Sequence, residues 1–169
     1  QLNDITSAIR QSLQMEQILD TAVRKSREAI ATDRVIVYAF NPDWDGTIVA
    51  ESVSPGWPLA LGANIADPCF ADRYVDQYRD GRIKATDDIY NAGLAHCHVN
   101  QLEFFGVRAN LVVPILCSGQ LYGLLIAHHC QGSRHWDEAE MAFMGQIAIQ
   151  VGFALEQSRL LADQEKSLK

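Results

Sequence analysis

The stretch "ANLVVPILCSGQLYGLLIAHHC", residues 109–130, carries the strongest strand signal in this sequence. Two runs rich in branched and aromatic residues, 109–117 and 120–130, stand on either side of the dipeptide Ser118-Gly119. Runs of this composition are typical of β-strands, and a two-residue loop that contains glycine favours a tight antiparallel turn. The sequence therefore predicts a long β-hairpin over residues 109–130.

Side chains along the second strand of this hairpin are predicted to alternate between two faces of the sheet. One face would carry Tyr122, Leu124, Ile126 and His128, and the other would carry Leu121, Leu125 and His129. A lone histidine on an apolar face is more often a hydrogen-bonded core residue than a ligand-binding one. The role of His128 therefore stays open, since the residue can pack in the core or face a cavity.

The sequence before this hairpin predicts a helix, a second hairpin and two short helices. Apolar residues recur at helical intervals over residues 1–31, which indicates an N-terminal helix. Residues 34–40 and 47–53 are strand-like runs, and "NPDWDG" between them supplies the turn. A short extended run at 82–90 precedes a second short helix, predicted over residues 92–105 and closed by a glycine.

The first short helix is predicted to begin in "ADPCFAD", residues 66–72. Asp67 can cap the helix, and the proline after it is tolerated at the first helical position. Cys69 then lies in the first turn, and Phe70 and Tyr74 share one face of the helix. Because a helix N-terminus favours a thiolate, Cys69 is a candidate reactive thiol, although capping alone would explain Asp67.

The C-terminal helix is predicted over residues 137–169. Asp137 and Glu140 form the sequence pattern of a capping box, which is typical of a helix start. Apolar residues then recur in alternating steps of three and four, a pattern that also suits a parallel helix pair: Met141, Met144, Ala148, Val151 and Leu155. With helices at both ends and antiparallel strands between them, we expect one α+β domain spanning residues 1–169, its sheet covered by helices.

Composition narrows the classes of function. The net charge is −7 and no dense basic run is present, so the electrostatic attraction that drives nucleic-acid binding is missing. No apolar run approaches the roughly 20 residues of a membrane helix, and no leader is seen, so we expect a cytoplasmic location, alone or within a membrane-anchored longer protein. The four cysteines lack a C-x-x-C pair, unlike a zinc ribbon or a disulfide framework.

Polar residues of the two inserted helices leave several interpretations open. Cys97 and His98 are adjacent, so on a helix they point about 100° apart and cannot easily chelate one ion. Arg82 and Lys84 can bind an acidic ligand group or lie on the surface. The two remaining cysteines, at positions 117 and 130, fall in strand patterns and are expected to pack as small apolar residues.

The two cysteine motifs carry a family resemblance. "DPCF" is followed, 28 residues after its thiol, by "CH", within "NAGLAHCH" and before "RANLVVPI". This combination is similar to the GAF domains of cyanobacteriochromes of the Asp-x-Cys-Phe, or dual-cysteine, subgroup. The resemblance covers the whole chain and implies a GAF fold with long terminal helices.

The resemblance also implies a covalently attached linear tetrapyrrole, phycocyanobilin or its isomer phycoviolobilin. Cys97 would form the permanent thioether, with His98 packed against the pigment, and Cys69 would add reversibly to the central methine bridge. The other implied pigment-binding residues are Asp67, which would accept hydrogen bonds from pyrrole N–H groups, Arg82, which would pair with a propionate, and His128, Phe70 and Tyr74. Light would isomerise a double bond of the pigment, and a blue-absorbing resting state with a photoproduct that absorbs green or longer-wavelength light is expected.

On this reading the chain is a photosensory module that turns over no substrate beyond attaching, and perhaps isomerising, its own pigment. The signal would leave through the terminal helices, at which a homodimer can form, toward a chemotaxis transducer, a histidine kinase or a cyclic-dinucleotide enzyme. Two other functions remain as alternatives. One is a free methionine sulfoxide reductase that uses Cys69 and Cys97 as a thiol pair, and the other is a GAF domain that binds a cyclic nucleotide.

Overall fold

The structure is a computed structural model that describes residues 2–65 and 75–167. Four α-helices and six β-strands occur in these ranges. In chain order they are α1 (Leu2–Ile30), β1 (Arg34–Phe40), β2 (Gly46–Val53), β3 (Asn64–Ile65), α2 (Val75–Arg79), β4 (Lys84–Thr86), α3 (His96–Phe104), β5 (Ala109–Cys117), β6 (Gln120–His129) and α4 (Glu138–Ser167). The predicted α+β class with long terminal helices is confirmed. Among the described residues, no helix is long and apolar enough to cross a membrane.

All six strands form one antiparallel sheet in the order β3-β2-β1-β6-β5-β4. The predicted hairpin is confirmed: β5 and β6 pair along their length, and the turn places Ser118 at φ 53° and Gly119 at φ 75°. Positive φ at both central residues is the conformation that matches the twist of the flanking strands. The hairpin therefore lies inside the sheet, flanked by β1 and β4.

One face of the sheet is covered by α1 and α4. The core between them is apolar and includes Val23, Val35, Leu111, Val113, Leu125, Met144, Val151 and Leu155. The two helices run antiparallel, because Gln14 contacts Ser158 while Arg134, just before α4, donates to the carbonyl of Ile30 at 2.6 Å. The apolar stripe of α4, which also suited a parallel helix pair, is thus buried within the chain. A helix lying on a sheet needs the same three-and-four spacing.

The alternation predicted along β6 is wrong at its first residues. Leu116 pairs with Leu121 while Ile115 pairs with Gly123, so Tyr122 is an extra residue, a β-bulge. Beyond the bulge Leu124, Ile126 and His128 share a face as predicted. Because a bulge shifts the alternation by one residue, Leu121 joins their face and Tyr122 packs on the helix-covered side.

The second short helix is shorter than predicted. Helix α3 begins at His96 rather than at residue 92, and a 3₁₀ turn at Ile89–Asn91 precedes it, capped by Asp88. Gly93 separates the two with φ 68°, a left-handed conformation that interrupts a helix. The predicted start of the C-terminal helix is confirmed by two reciprocal bonds, from Glu140 N to Asp137 Oδ1 and from Asp137 N to Glu140 Oε1.

The backbone of α4 lies directly on the hairpin. A Cβ added at Gly152 would come within 2.1 Å of the Leu116 carbonyl oxygen. One turn later Glu156 accepts hydrogen bonds from the Ser118 hydroxyl and, at 3.4 Å, from the Cys117 thiol. Helix and hairpin are therefore in contact through the backbone at Gly152 and through the side chain of Glu156.

This contact predicts opposite effects for two glycine substitutions in one helix. Gly152→Ala should lower the free energy of unfolding by about 1–3 kcal/mol, because the new methyl group overlaps a backbone oxygen. Gly145→Ala is the control, since its methyl group would meet only Ile83 Cδ1 at 3.6 Å. That control should gain up to about 1 kcal/mol from helix propensity. Urea unfolding would measure both, and a Gly152→Ala protein as stable as Gly145→Ala would contradict the close approach.

Candidate functional site

A cavity of about 510 Å³ lies on the sheet face opposite α1 and α4. Its volume is within the roughly 300–1,000 Å³ typical of sites for small ligands and cofactors. Its floor comes from strands β1, β2, β5 and β6, and one wall comes from α3. The apolar floor residues are Ile36, Tyr38, Ile48, Val112, Leu124 and Ile126. Because side chains alternate along the strands, one face of the sheet packs against α1 and α4 and the other, the hollow face, lines the cavity.

Four of the predicted site residues meet at this cavity. Cys97 and His98, in the first turn of α3, line it together with Arg82 and His128. Cys97 is exposed and free, so its thiol is accessible both to solvent and to the cavity. Asp67, Cys69, Phe70 and Tyr74 lie outside the described residues, and the roles expected for them stay predictions.

Cationic groups lie at the β4 edge of the cavity. Arg82 donates to Gln77 Oε1 at 2.6 Å and lies 5.3 Å from the ring centre of Tyr78, so its guanidinium is held in place. Lys84 lines the same edge on β4 and is half-buried. Two positive charges at one edge of an apolar cavity suit the carboxylate groups of an amphiphilic ligand.

Arg34 is the most connected buried side chain near the cavity, and the sequence analysis did not single it out. It is 0% exposed and donates from Nε to Glu51 Oε2 at 3.1 Å, from Nη2 to the Pro58 carbonyl at 2.5 Å and from Nη1 to the Phe105 carbonyl at 3.1 Å. Nη1 also lies 3.2 Å from His128 Nδ1. Arginine is rarely buried in folded proteins, so the residue type did not indicate a buried site. Only the position of Arg34 at the start of a strand pattern could have suggested that it lies inside.

Glu51 balances the charge of Arg34. Its side chain is 4% exposed and it also accepts hydrogen bonds from the backbone N–H groups of Ala60 and Leu61, at 2.8 and 3.2 Å. A buried ion pair is tolerated only when both partners have their hydrogen bonds satisfied, as they are here. The pair connects β1 and β2 to the loop after β2.

His128 is neutral and in one tautomer. A guanidinium can only donate, so the contact from Arg34 requires His128 Nδ1 to accept and places the ring proton on Nε2. Complete burial, together with the neighbouring positive charge of Arg34, lowers the pKa of His128 to about 3. The residue therefore presents an uncharged N–H donor near neutral pH.

The strand end that carries His128 is fixed by Asp33. Its carboxylate accepts from the backbone N–H of Cys130 at 2.7 Å and from the Gln131 side chain at 2.7 Å. Burial alone would raise the pKa of Asp33, but these hydrogen bonds outweigh it and lower the pKa. Burial raises the pKa of the Cys130 thiol to about 11, so this cysteine is inert and fits the predicted packing role.

Metal binding finds no support in the part of the chain that the structure describes. No group of three or more His, Cys, Asp and Glu side chains there is arranged to hold an ion.

Comparisons with known proteins give the family. Residues 14–155 match the GAF domain family. A candidate methyl-accepting chemotaxis protein of Synechocystis sp. is 55% identical over 97% of this chain, and a circadian input-output histidine kinase of the same organism is 32% identical over 98%. The chain spans only 16% and 25% of the lengths of these two relatives.

Solved structures of cyanobacteriochromes resemble the chain closely. The blue-light absorbing form of the Thermosynechococcus elongatus PixJ GAF domain is 47% identical, with a TM-score of 0.91 and coverage of 94% of both chains. The green light-absorbing state of the same domain is 49% identical, with a TM-score of 0.82, and covers 90% of this chain and 92% of that one. Fold, family match and these structural neighbours agree, and the chain belongs to the GAF domain family.

Proposed function

We propose that this chain is a photosensory module that holds a linear tetrapyrrole in the cavity and attaches it to Cys97. The observation that carries the proposal is the position of an accessible thiol in the lining of an apolar cavity with a cationic edge. Similarity to blue- and green-absorbing states of a cyanobacteriochrome supports it. Phycocyanobilin or phycoviolobilin is the proposed pigment.

The cavity lining fits such a pigment chemically. A bilin is a long apolar conjugated chain with two carboxylates, and the lining combines an apolar floor with Arg82 and Lys84 at one edge. When bound, the tetrapyrrole would supply light absorption and double-bond isomerisation. His98, next to Cys97 in α3, also lines the cavity and would lie beside the pigment.

Attachment requires no reagent beyond the thiol. The Cys97 S–H adds across a carbon–carbon double bond of the A-ring substituent, so that a C–S bond forms and the proton moves to the neighbouring carbon. Nothing leaves and nothing is oxidised. The chain is therefore proposed to act as a sensor rather than an enzyme, apart from attaching, and perhaps isomerising, its own pigment.

The dual-cysteine switch is proposed for the residues before α2. Cys69 would be the second, reversible thiol, which shortens the conjugation when attached and gives a blue-absorbing resting state with a green-absorbing photoproduct. Asp67 would accept hydrogen bonds from the pyrrole N–H groups, with Phe70 and Tyr74 beside the pigment. The motif spacing and the blue and green states of the similar PixJ domain support this colour type.

Output is proposed to leave through α4 and α1. The hairpin β5–β6 forms part of the cavity floor on one face and meets α4 at Gly152 and Glu156 on the other, so a change at the floor reaches α4 directly. Exposed apolar residues on both helices offer a surface for a homodimer: Ile5, Ile9, Leu13, Phe153, Leu160 and Leu161. A chemotaxis transducer, histidine kinase or cyclic-dinucleotide domain, within a cytoplasmic or membrane-anchored longer protein, would receive the signal.

Replacing the anchoring thiol tests the proposal. Cys97→Ala, made in cells that produce phycocyanobilin, should abolish covalent pigment, because no other thiol is expected to form the permanent bond. Cys117→Ala is the matched control and should keep it. Zinc-induced fluorescence of the denatured band on a gel measures attachment. Equal fluorescence in wild type and Cys97→Ala would reject the assignment, and stoichiometric oxidation of Cys97 by free methionine sulfoxide would favour the reductase instead.

Replacing the second thiol tests the switch separately. Cys69→Ala should keep covalent pigment but move the resting absorption from blue to longer wavelength, since conjugation would stay uninterrupted. Visible spectra before and after illumination measure this shift. A Cys69→Ala protein with an unchanged blue resting state would contradict the dual-cysteine mechanism while leaving pigment binding intact.

A further inference from the structure

Strand β4 and the residues just before it have the cavity on one side and α4 on the other. Arg82, Lys84 and Thr86 line the cavity. Ile83 lies on the opposite side, where its Cδ1 is 3.6 Å from the position that a Cβ on Gly145 of α4 would take. Such alternation is the ordinary geometry of an extended chain. One short stretch of chain therefore connects the cation-lined edge of the cavity to a terminal helix.

The sheet itself holds β4 weakly. The strand has three residues and is the last in the strand order, and among the residues that the structure describes it pairs only with β5. An element with so few contacts shifts or opens at a lower free energy than the central strands do. The position of β4 therefore depends on what its side chains and its end are attached to.

The end of β4 is attached to the segment just before α4, residues 134–136, called here the junction. Trp136 Nε1 donates to the Thr86 carbonyl at 3.1 Å, and the backbone N–H of Arg134 donates to the Asp87 carbonyl at 2.9 Å. Trp136 is 1% exposed, so its hydrogen bond is shielded from water. Thr86 therefore lines the cavity and is also bound to the junction.

The junction also binds both terminal helices, through Arg134. This side chain donates to the carbonyls of Ile30 and Ala31, at 2.6 and 3.0 Å, where α1 ends. It also pairs with Glu140 in the first turn of α4 and lies 4.6 Å from the ring centre of Trp136. The last carbonyls of a helix have no partner within the helix, so Arg134 supplies donors that α1 needs. One side chain thus joins the end of α1, the start of α4 and the indole that holds β4.

Carboxylate groups of a ligand would act on the cavity side of this strand. Hydrogen bonds from charged donors such as Arg82 and Lys84 to a carboxylate are roughly twice as strong as neutral ones. The ladder that holds β4 to β5 has only three residue pairs. Two such charged bonds are therefore comparable in strength with the pairing of the strand, so a carboxylate that moves can take β4 with it.

We propose that β4 and the junction form a second route from the cavity to the terminal helices. Along it the carboxylates of the ligand shift β4, and Trp136 and Arg134 pass this shift to the start of α4 and the end of α1. Both are positioning residues, since neither is among the residues that line the cavity. The inference rests on the proposed function, because it takes the ligand to be a bilin with two carboxylates. It differs from the hairpin route, which meets α4 farther along, at Gly152 and Glu156.

Hydrogen exchange of the pigment-loaded chain tests this route. Amide exchange over residues 27–31 and 138–145 should differ between dark and illuminated protein. Trp136→Phe keeps a buried ring but loses the N–H donor, and it should reduce this difference by about fivefold, the factor for one hydrogen bond. Glu156→Ala is the control, because it breaks the contact between hairpin and helix, and it should keep the difference. Visible spectra should show that the pigment still photoconverts in both variants.

Trp136 can also be followed without replacing it, which covers the case that Trp136→Phe does not fold. Its indole N–H gives a separate signal in nitrogen-15 NMR, and this signal should move when the pigment-loaded wild type is illuminated. Combining Arg82→Gln with Lys84→Gln should abolish the movement. Arg79→Gln is the matched control and should keep it, because Arg79 pairs with Asp76 on α2 and is not among the residues that line the cavity. A purely structural Trp136 would give the same signal in the dark and in the light.

The outcomes separate the route from the proposed function. A Trp136 signal that does not respond to light, or one that moves equally in the Arg82 and Lys84 double variant, would overturn the inference alone. An exchange difference that is absent in wild type, or unchanged in Trp136→Phe, would do the same, since the chain would still carry a photoactive pigment. Failure of the wild-type chain to take up any bilin would overturn the proposed function and this inference together, because the route begins at the carboxylates of the ligand.

Discussion

The ion pair between Arg34 and Glu51 is the interaction on which the cavity depends. It joins the first two strands, and its further hydrogen bonds reach the loop after β2, the end of α3 and β6. The loop after β2 and the end of α3 lie outside the sheet, so these bonds attach them to it. Removing one partner of a buried pair typically costs about 3–5 kcal/mol, because the other charge is left uncompensated. The cavity face of the sheet thus combines this buried ion pair with an apolar cluster, while the core on the other face is apolar.

A single sheet serves both faces because successive strand residues point in opposite directions. In β5, Leu111 and Val113 pack against the terminal helices, and Asn110 and Val112 line the cavity. The same hairpin is therefore part of the core and part of the site. Only the sheet itself therefore separates the cavity from α4.

Much of the architecture could be predicted from local chemistry. The turn at Ser118-Gly119 and the start of the C-terminal helix depend on adjacent residues, and both were predicted correctly. The bulge at Tyr122 was missed, although a glycine inside a strand, here Gly123, often marks a bulge or a close backbone approach. In the structure a Cβ at Gly123 would lie 2.3 Å from the Tyr38 carbonyl oxygen. The cluster around Arg34 depends on partners that are distant in sequence, so no local pattern could reveal it. Cys97 and His98 were found through a motif, and Asn110, inside another quoted motif, was passed over.

The antiparallel arrangement of α1 and α4 has a geometric consequence. Gln14 and Ser158 are in contact, so the helix that brings the chain into the sheet and the helix that takes it away lie side by side. A domain fused to both helices would therefore be attached through two adjacent antiparallel helices rather than through one. A shift of α1 along α4 by a fraction of a helical turn would then change the orientation of such a domain.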